Sequence, residues 1–240
     1  MEKLIDTHFH LDFYRNHNLV YEQINELNQY TLCMSNSPGV YVSCKHMYKE
    51  TKYLKFALGF HPQNSDLTDE DFDYFIQLFY CADYIGEVGL DFTKKNSNSI
   101  QFQVNAFDTI VKLCSQYNKL ISVHLRKSEE EAIRIIRKYN PKKCIIHWYN
   151  GSEKNLLELI ELGCYFSINT NMINKVSPII SMIPTSRLLV ESDGPFTKVN
   201  NQKYEVQYLS DVHKLIEKKL GVTDIANIVY WNFKRILEKK

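Results

Sequence analysis

The chain has 240 residues, 44% of them hydrophobic, which is enough to bury a sizeable core. Its 29 Lys+Arg against 28 Asp+Glu leave a formal charge of +1, so no global basic field marks a nucleic-acid binder, and an anionic ligand has to be held locally. No apolar run reaches the roughly 18 residues of a membrane span, and the N-terminus runs into Asp6 and His8 without a signal-peptide core, so a cytoplasmic protein away from membranes is expected.

In chain order, the pattern predicts a first strand at Lys3–Asp6, leading into His8-Phe9-His10. A helix follows at Asn18–Gln29, then a strand at Thr31–Met34 and a short helix around His46–Lys52. Lys55–Gly59 is the third strand, entering Gly59-Phe60-His61-Pro62. The helix Asp69–Phe79 carries acidic residues in its first turn, which suits the helix dipole. The fourth strand and its exit are Tyr84–Asp91, and Ser99–Tyr117 is the longest helix.

The fifth strand, Leu120–Val123, leads into His124. Ser128-Glu129-Glu130-Glu131 reads as a capping box opening a helix to Tyr139. Lys143–Ile146 leads into His147, and Glu153–Leu162 is a helix closed by Gly163. Cys164–Ile168 is the seventh strand, and a helical stretch over Met172–Ile183 is broken at Pro178. Arg187–Glu191 is the eighth strand, followed by Ser192-Asp193-Gly194-Pro195. Helices at about Val206–Lys219 and Thr223–Glu238 end the chain. Eight strands alternating with helices, without a linker, predict an α/β fold: a single-domain (β/α)8 TIM barrel over residues 1–240 with an additional C-terminal helix. The six cysteines lack C-x-x-C spacing, and they are expected to be small buried hydrophobes in a reducing compartment.

Position makes the polar residues informative. His8, His10, His61, Glu87, His124, His147 and Asp193 all fall at or just past strand C-termini, which face one mouth in a barrel. Side chains alternate along a strand, so His8 and His10 share a face and Phe9 packs outward. A lone histidine here would be an ordinary core residue. Five histidines with two carboxylates instead suit divalent ions such as Zn, Mn or Mg, and they are too many for one tetrahedral site. Two ions are therefore expected. His8, His10 and Asp193 would hold the first, from neighbouring strands one and eight. His124 and His147 would hold the second, and Glu87 would bridge. A water shared by the ions would be the nucleophile, with Asp193 as general base. His61 is assigned to substrate contact or to a place behind the ligands. Two ions against Glu87 and Asp193 leave a positive core that favours a phosphodiester oxygen.

Six segments in order resemble the TatD family of metal-dependent deoxyribonucleases, within the amidohydrolase superfamily. They are Asp6–Asp12, Gly59–Pro62, Ile85–Asp91, Val123–Arg126, Ile146–Gly151 and Glu191–Pro195. The resemblance implies that His8, His10, Glu87, His124, His147 and Asp193 are the metal ligands, with Glu87 and Asp193 serving catalysis. It further implies a 3′-to-5′ exonuclease or related phosphodiesterase, chiefly on single-stranded DNA. The segment after Asp193 departs from the family in lacking arginine, so phosphate contacts fall to Arg126, Lys198 and Lys203. Phe92, Trp148, Tyr149 and Phe196, just past strand ends, are candidates to stack bases, Trp148 foremost, while Lys94 and Lys95 read as solvated loop charges. TatD-like nucleases also occur in anti-phage systems such as the Qat type, where protein partners are expected. Two other readings remain open: a hydrolase of amide, ester or lactone bonds, and a metal-bearing binding subunit of such a complex.

Overall fold

The computed structural model describes residues 3–93, 99–173 and 179–239. Eight strands pair in parallel and in sequence order: β1 (Ile5–Phe9), β2 (Tyr30–Cys33), β3 (Leu54–Phe60), β4 (Tyr84–Asp91), β5 (Leu120–Arg126), β6 (Cys144–His147), β7 (Tyr165–Ile168) and β8 (Leu188–Val190). Helices α1 (His17–Glu26), α2 (Pro38–Met47), α3 (Asp69–Phe79), α4 (Ile100–Gln116), α5 (Glu129–Tyr139) and α6 (Glu153–Glu161) each connect one strand to the next. The short helices α7 (Thr170–Ile173) and α8 (Ile179–Met182) join β7 to β8, and α9 (Leu209–Leu220) follows β8. The last helix, α10 (Ile225–Glu238), is additional. Its Asn232 amide donates to Thr185 O (2.7 Å) and Leu188 O (2.8 Å), tying it to the start of β8. Parallel neighbours in sequence order force crossovers of one hand, so every strand C-terminus opens on the same mouth. Helices outside and packed side chains inside bury the strands on both faces, which is why they are near-continuous apolar runs such as Cys144-Ile145-Ile146.

The barrel is nearly closed. Among the described residues no strand ladder joins β8 to β1, and polar groups seal the seam instead. The Asp6 carboxylate accepts from the Ser192 amide (2.9 Å) and hydroxyl, and the Thr7 hydroxyl donates to Val190 O (3.0 Å). Asp193 N donates to His8 O (2.9 Å), and His10 N donates to Gly194 O (3.0 Å). The loop past β8 is thereby fastened directly to the strand that carries both N-terminal histidines.

Ladder register breaks where it matters for the mouth: between Asp6 and Phe9 in β1, and between Ile85 and Val88 in β4. Such irregularities re-aim side chains, and they fall on His8 and Glu87. Ser35, just past β2, pins the second one. Its carbonyl accepts from Glu87 N (3.1 Å), and its hydroxyl accepts from Gly59 N (2.9 Å) while donating to Ala57 O (2.9 Å). This crossing is possible only because residue 59 is glycine. A Cβ there would lie 1.5 Å from Ser35 O.

Several sequence expectations need correction. The first strand extends to Phe9, so His8 lies inside the ladder and not beyond it. Helix α2 starts at Pro38, eight residues before His46. Ser37 caps it by accepting from Val40 N (3.2 Å), and proline at the first helical position is a start signal that the reading passed over. The expected capping box at Ser128 does not form. Its hydroxyl is drawn away, donating to Leu90 O (2.7 Å) and accepting from Arg126 N (3.2 Å), which ties the β5 exit to β4. Cys81 is exposed, whereas the other five cysteines are buried, and all six are free. Pro178, Lys94 and Lys95 lie outside the described residues. Among those described, no helix is long and apolar enough to cross a membrane.

Candidate metal centre

Five imidazoles converge on one buried carboxylate. Glu87, 3% exposed, turns its two oxygens toward different neighbours. Oε1 lies 2.8 Å from His124 Nδ1, 2.9 Å from His147 Nε2 and 3.1 Å from His61 Nε2. Oε2 lies 3.3 Å from His10 Nε2 and 3.4 Å from His8 Nε2. On that second side Asp193 Oδ1 comes within 3.6 Å of His10 Nε2 and 4.0 Å of His8 Nε2. The structure thus gathers His8, His10 and Asp193 on one side of Glu87, and His124 and His147 on the other.

The donor set fits divalent cations. Ligand atoms on a tetrahedron of ~2.05 Å radius lie about 3.3 Å apart. His8 Nε2 and His10 Nε2 are 3.2 Å apart, and their separations from Glu87 Oε2 match that edge. His8 Nδ1 faces the Ser122 hydroxyl at 3.1 Å, which leaves Nε2 to face the site. Burial, and then the neighbouring His147 charge, push His8 down to about 3, so its ring stays neutral with a lone pair available. Two ring nitrogens aimed at each other and at two carboxylates are satisfied by a cation among them.

The other rings show how protons stand in for that cation. Burial works against charge on His10, His124 and His147, yet all three are raised because carboxylates surround them. Glu87 and Asp193 hold His10, Asp91 and Glu87 hold His124, and Glu87 and Glu191 hold His147. Glu87, despite burial, is held well below the usual carboxylate range by the rings around it, His61 and His147 first. Asp193 is raised to about 8, chiefly by burial, against the pull of His147 and His10. A divalent ion beside it would favour the carboxylate form.

His61 differs from the other four rings. Its Nδ1 accepts from the backbone N–H of Gln63 (3.1 Å), and burial lowers its pKa, so the neutral ring carries its proton on Nε2. That nitrogen points at Glu87 Oε1 as a donor and offers no lone pair. Proximity alone would group His61 with Glu87 and His124, but the tautomer separates them.

Sequence reasoning missed the carboxylates that hold the rings from behind. Asp91 Oδ2 lies 3.0 Å from His124 Nε2, and Glu191 Oε1 lies 3.4 Å from His147 Nδ1. Both carboxylates are fully buried. Glu191 also accepts from the Ser167 hydroxyl and the Asn169 amide (2.9 Å), so its remaining capacity is spent on orienting His147. The signal was present in the sequence: Asp91 is four residues after Glu87 on the same strand, and Glu191 two before Asp193. These carboxylates also correct the electrostatic argument. Were two divalent ions held here, Glu87, Asp193, Asp91 and Glu191 would offset part of their charge, so a phosphate would draw on a further cation as well.

The cluster floors a cavity of about 590 Å³, within the ~300–1,000 Å³ typical of small-ligand sites. His61, Arg126, Trp148, Phe13 and Phe196 are among its walls. Trp148, immediately past β6, adopts φ 40°, an unusual backbone for a bulky residue and one that turns the chain at the mouth. Of the other cations proposed for phosphate, Lys198 and Lys203 pair across a two-residue hairpin, β9 (Lys198–Val199) with β10 (Gln202–Lys203), and neither lines the cavity. Of the aromatics, Tyr149 is buried with its hydroxyl donating to Ser152 O (2.8 Å), and Phe92 packs on the core.

A family model described as TatD related DNase matches residues 5–238. The chain belongs to the TatD-related DNase family. A metal-dependent hydrolase of Buchnera aphidicola is 27% identical over 262 residues, covering 97% of this chain and 98% of its own. The human deoxyribonuclease TATDN3 is 23% identical over 269 residues, covering 98% and 95%. Among solved structures, the TatD homolog YJJV of Escherichia coli superposes with a TM-score of 0.85 at 18% identity, covering 97% of each chain. A TatD-family hydrolase of Entamoeba histolytica gives 0.80 at 16%, covering 98% of each. At these identities the structural likeness establishes the barrel for this TatD-family chain, while its chemistry rests on its own residues.

Proposed function

We propose that this chain is a metal-dependent phosphodiesterase, a 3′-to-5′ exonuclease on single-stranded DNA working with two divalent ions. The observation that carries the reading is the division of Glu87: each oxygen faces a separate group of imidazole nitrogens, the arrangement a bridging carboxylate needs. His8, His10 and Asp193 would hold one ion and His124 and His147 the other. When bound, such a pair supplies a water of lowered pKa and charge for a phosphoryl oxygen. The Asp193 carboxylate, on the His8–His10 side, takes the proton released by the attacking water. His61 donates from Nε2 to an oxygen of the substrate in place of Glu87. Arg126, exposed on the cavity wall, adds a positive charge for the phosphate where the buried carboxylates offset that of the ions. Trp148 flanks the entering strand.

Hydrolysis of end-labelled single- and double-stranded DNA and RNA with Mg, Mn or Zn tests this, with Glu87→Gln as control. A 3′-shortened ladder from single-stranded DNA, about two metal ions per chain, and loss of both in the variant are expected. Cleavage by the variant at the wild-type rate would reject the site. The partly offset charge of the core favours one second reading, hydrolysis of an uncharged amide, ester or lactone, which predicts inert nucleic acids in every metal.

A further inference from the structure

Phe13 and Phe196 stand apart from the other exposed apolar side chains. They are 46% and 49% exposed, and of the large hydrophobics exposed to that extent among the described residues they are the two that line the cavity. Phe13 ends the 3-10 turn Leu11–Phe13 just past β1, and Phe196 follows Pro195 just past β8, so they meet across the barrel seam. Their rings pack edge to face, 4.9 Å between centroids at 68°. Both also reach the His10 ring edge-on, at 5.7 and 5.5 Å. Scattered single phenylalanines on a surface need no explanation, but two in contact, half in water, beside a charged floor form an apolar step at the edge of a polar site.

A ligand that uses both parts is anionic at one end and flat and apolar at the other. His10 turns Nε2 to the carboxylates while its ring contacts both phenyl groups, so a phosphate over the cluster sets the attached nucleoside beside those rings. We propose that Phe13 and Phe196 form a stacking subsite for the base of the nucleotide whose phosphate is attacked. Stacking on a phenyl face reads no sequence, since every base has a π-face. The subsite deepens the DNase reading and rests on it. It assigns to Phe13 a role that sequence reasoning did not give it.

The test compares paired single-stranded oligonucleotides whose terminal nucleotide, at the end the wild type attacks, is normal or abasic. Affinity by fluorescence anisotropy and kcat/KM are measured on the metal-replete protein. The wild type should favour the base-bearing partner by about tenfold or more. In a Phe13→Ala/Phe196→Ala variant that ratio should fall to about one, while metal content per chain stays at the wild-type level. Phe13→Leu/Phe196→Leu keeps apolar bulk without a flat ring, and it should behave the same way if the alanine pair folds poorly. A wild type with no preference, or variants that keep it, would overturn the subsite. So would loss of metal with an equal fall on both oligonucleotides, because the rings would then serve only to hold His10. Failure of the wild type to cleave any oligonucleotide would instead remove the DNase reading, and the anisotropy ratio would still decide the subsite.

Discussion

His213 on α9 and His8 on β1 are 2% and 0% exposed, and burial is the first cause that lowers the pKa of each. Their surroundings are otherwise opposite. His213 gives its Nε2 proton to one backbone carbonyl, Ile5 O, at 3.0 Å, and Glu217 is the one carboxylate that raises its pKa against burial. His8 belongs to a group of five rings around Glu87, backed by Asp91, Glu191 and Asp193. One buried neutral imidazole with one acceptor is a structural fastener between helix and strand. Five rings packed around carboxylates demand cations, as protons or as metal ions. Burial alone therefore does not distinguish structure from function, whereas the partners do.

Four substitutions sharpen or break that contrast. Gly59→Ala should have the largest effect, because the added Cβ meets the Ser35 carbonyl that holds Glu87. A loss of about 3 kcal/mol of stability, together with metal binding, is expected in denaturant titrations and metal analysis. A stable, fully loaded variant would show that Glu87 is not positioned through Ser35. Asp193→Asn should lower kcat by roughly 10²–10⁴-fold without lowering the unfolding midpoint of the metal-free chain, since Asp193 is a buried group at the mouth and burial disfavours its charge. Unchanged turnover would exclude it from proton transfer.

Asp91→Asn acts one layer back. Weakening the acceptor behind His124 should reduce metal affinity about 10–100-fold, read by competition with a chelator, and excess metal should restore turnover. A variant with wild-type affinity would reduce Asp91 to a packing role. His213→Gln should leave metal content unchanged. His213 is depressed to about 4 from 6.5, so above pH 6.5 both folded and unfolded chains hold it neutral. As pH falls from 6.5 toward 4 the unfolded chain takes up the proton first, and up to about 3 kcal/mol of stability is lost. Denaturation of wild type and variant at pH 7 and pH 5 should show a flatter dependence in the variant, and parallel curves would contradict the assignment.

Much of this was legible in the chain because it is local. An apolar run of three residues, then a histidine, as in Cys144-Ile145-Ile146-His147, places the ring at a strand end whatever the rest of the molecule does. Helix α2 was misplaced because the sign at Ser37-Pro38 competes with a weak apolar pattern, and the Ser128 cap failed because a carbonyl on β4 took the hydroxyl. The first sign was local and readable, whereas the second competition involves a residue distant in sequence, whose outcome composition does not reveal.

By itself the sequence determined the alternation of strands and helices, the barrel it implies, and the assignment of His8, His10, Glu87, His124, His147 and Asp193 to its strands and their exits. Periodicity and strand polarity are properties of neighbouring residues. Only the tertiary structure decided which nitrogen of each ring faces Glu87, that His61 is a donor, that Asp91 and Glu191 stand behind His124 and His147, and that Phe13 meets Phe196 across the seam. Those outcomes depend on hydrogen-bond partners and ring contacts that the chain brings together only when the barrel closes.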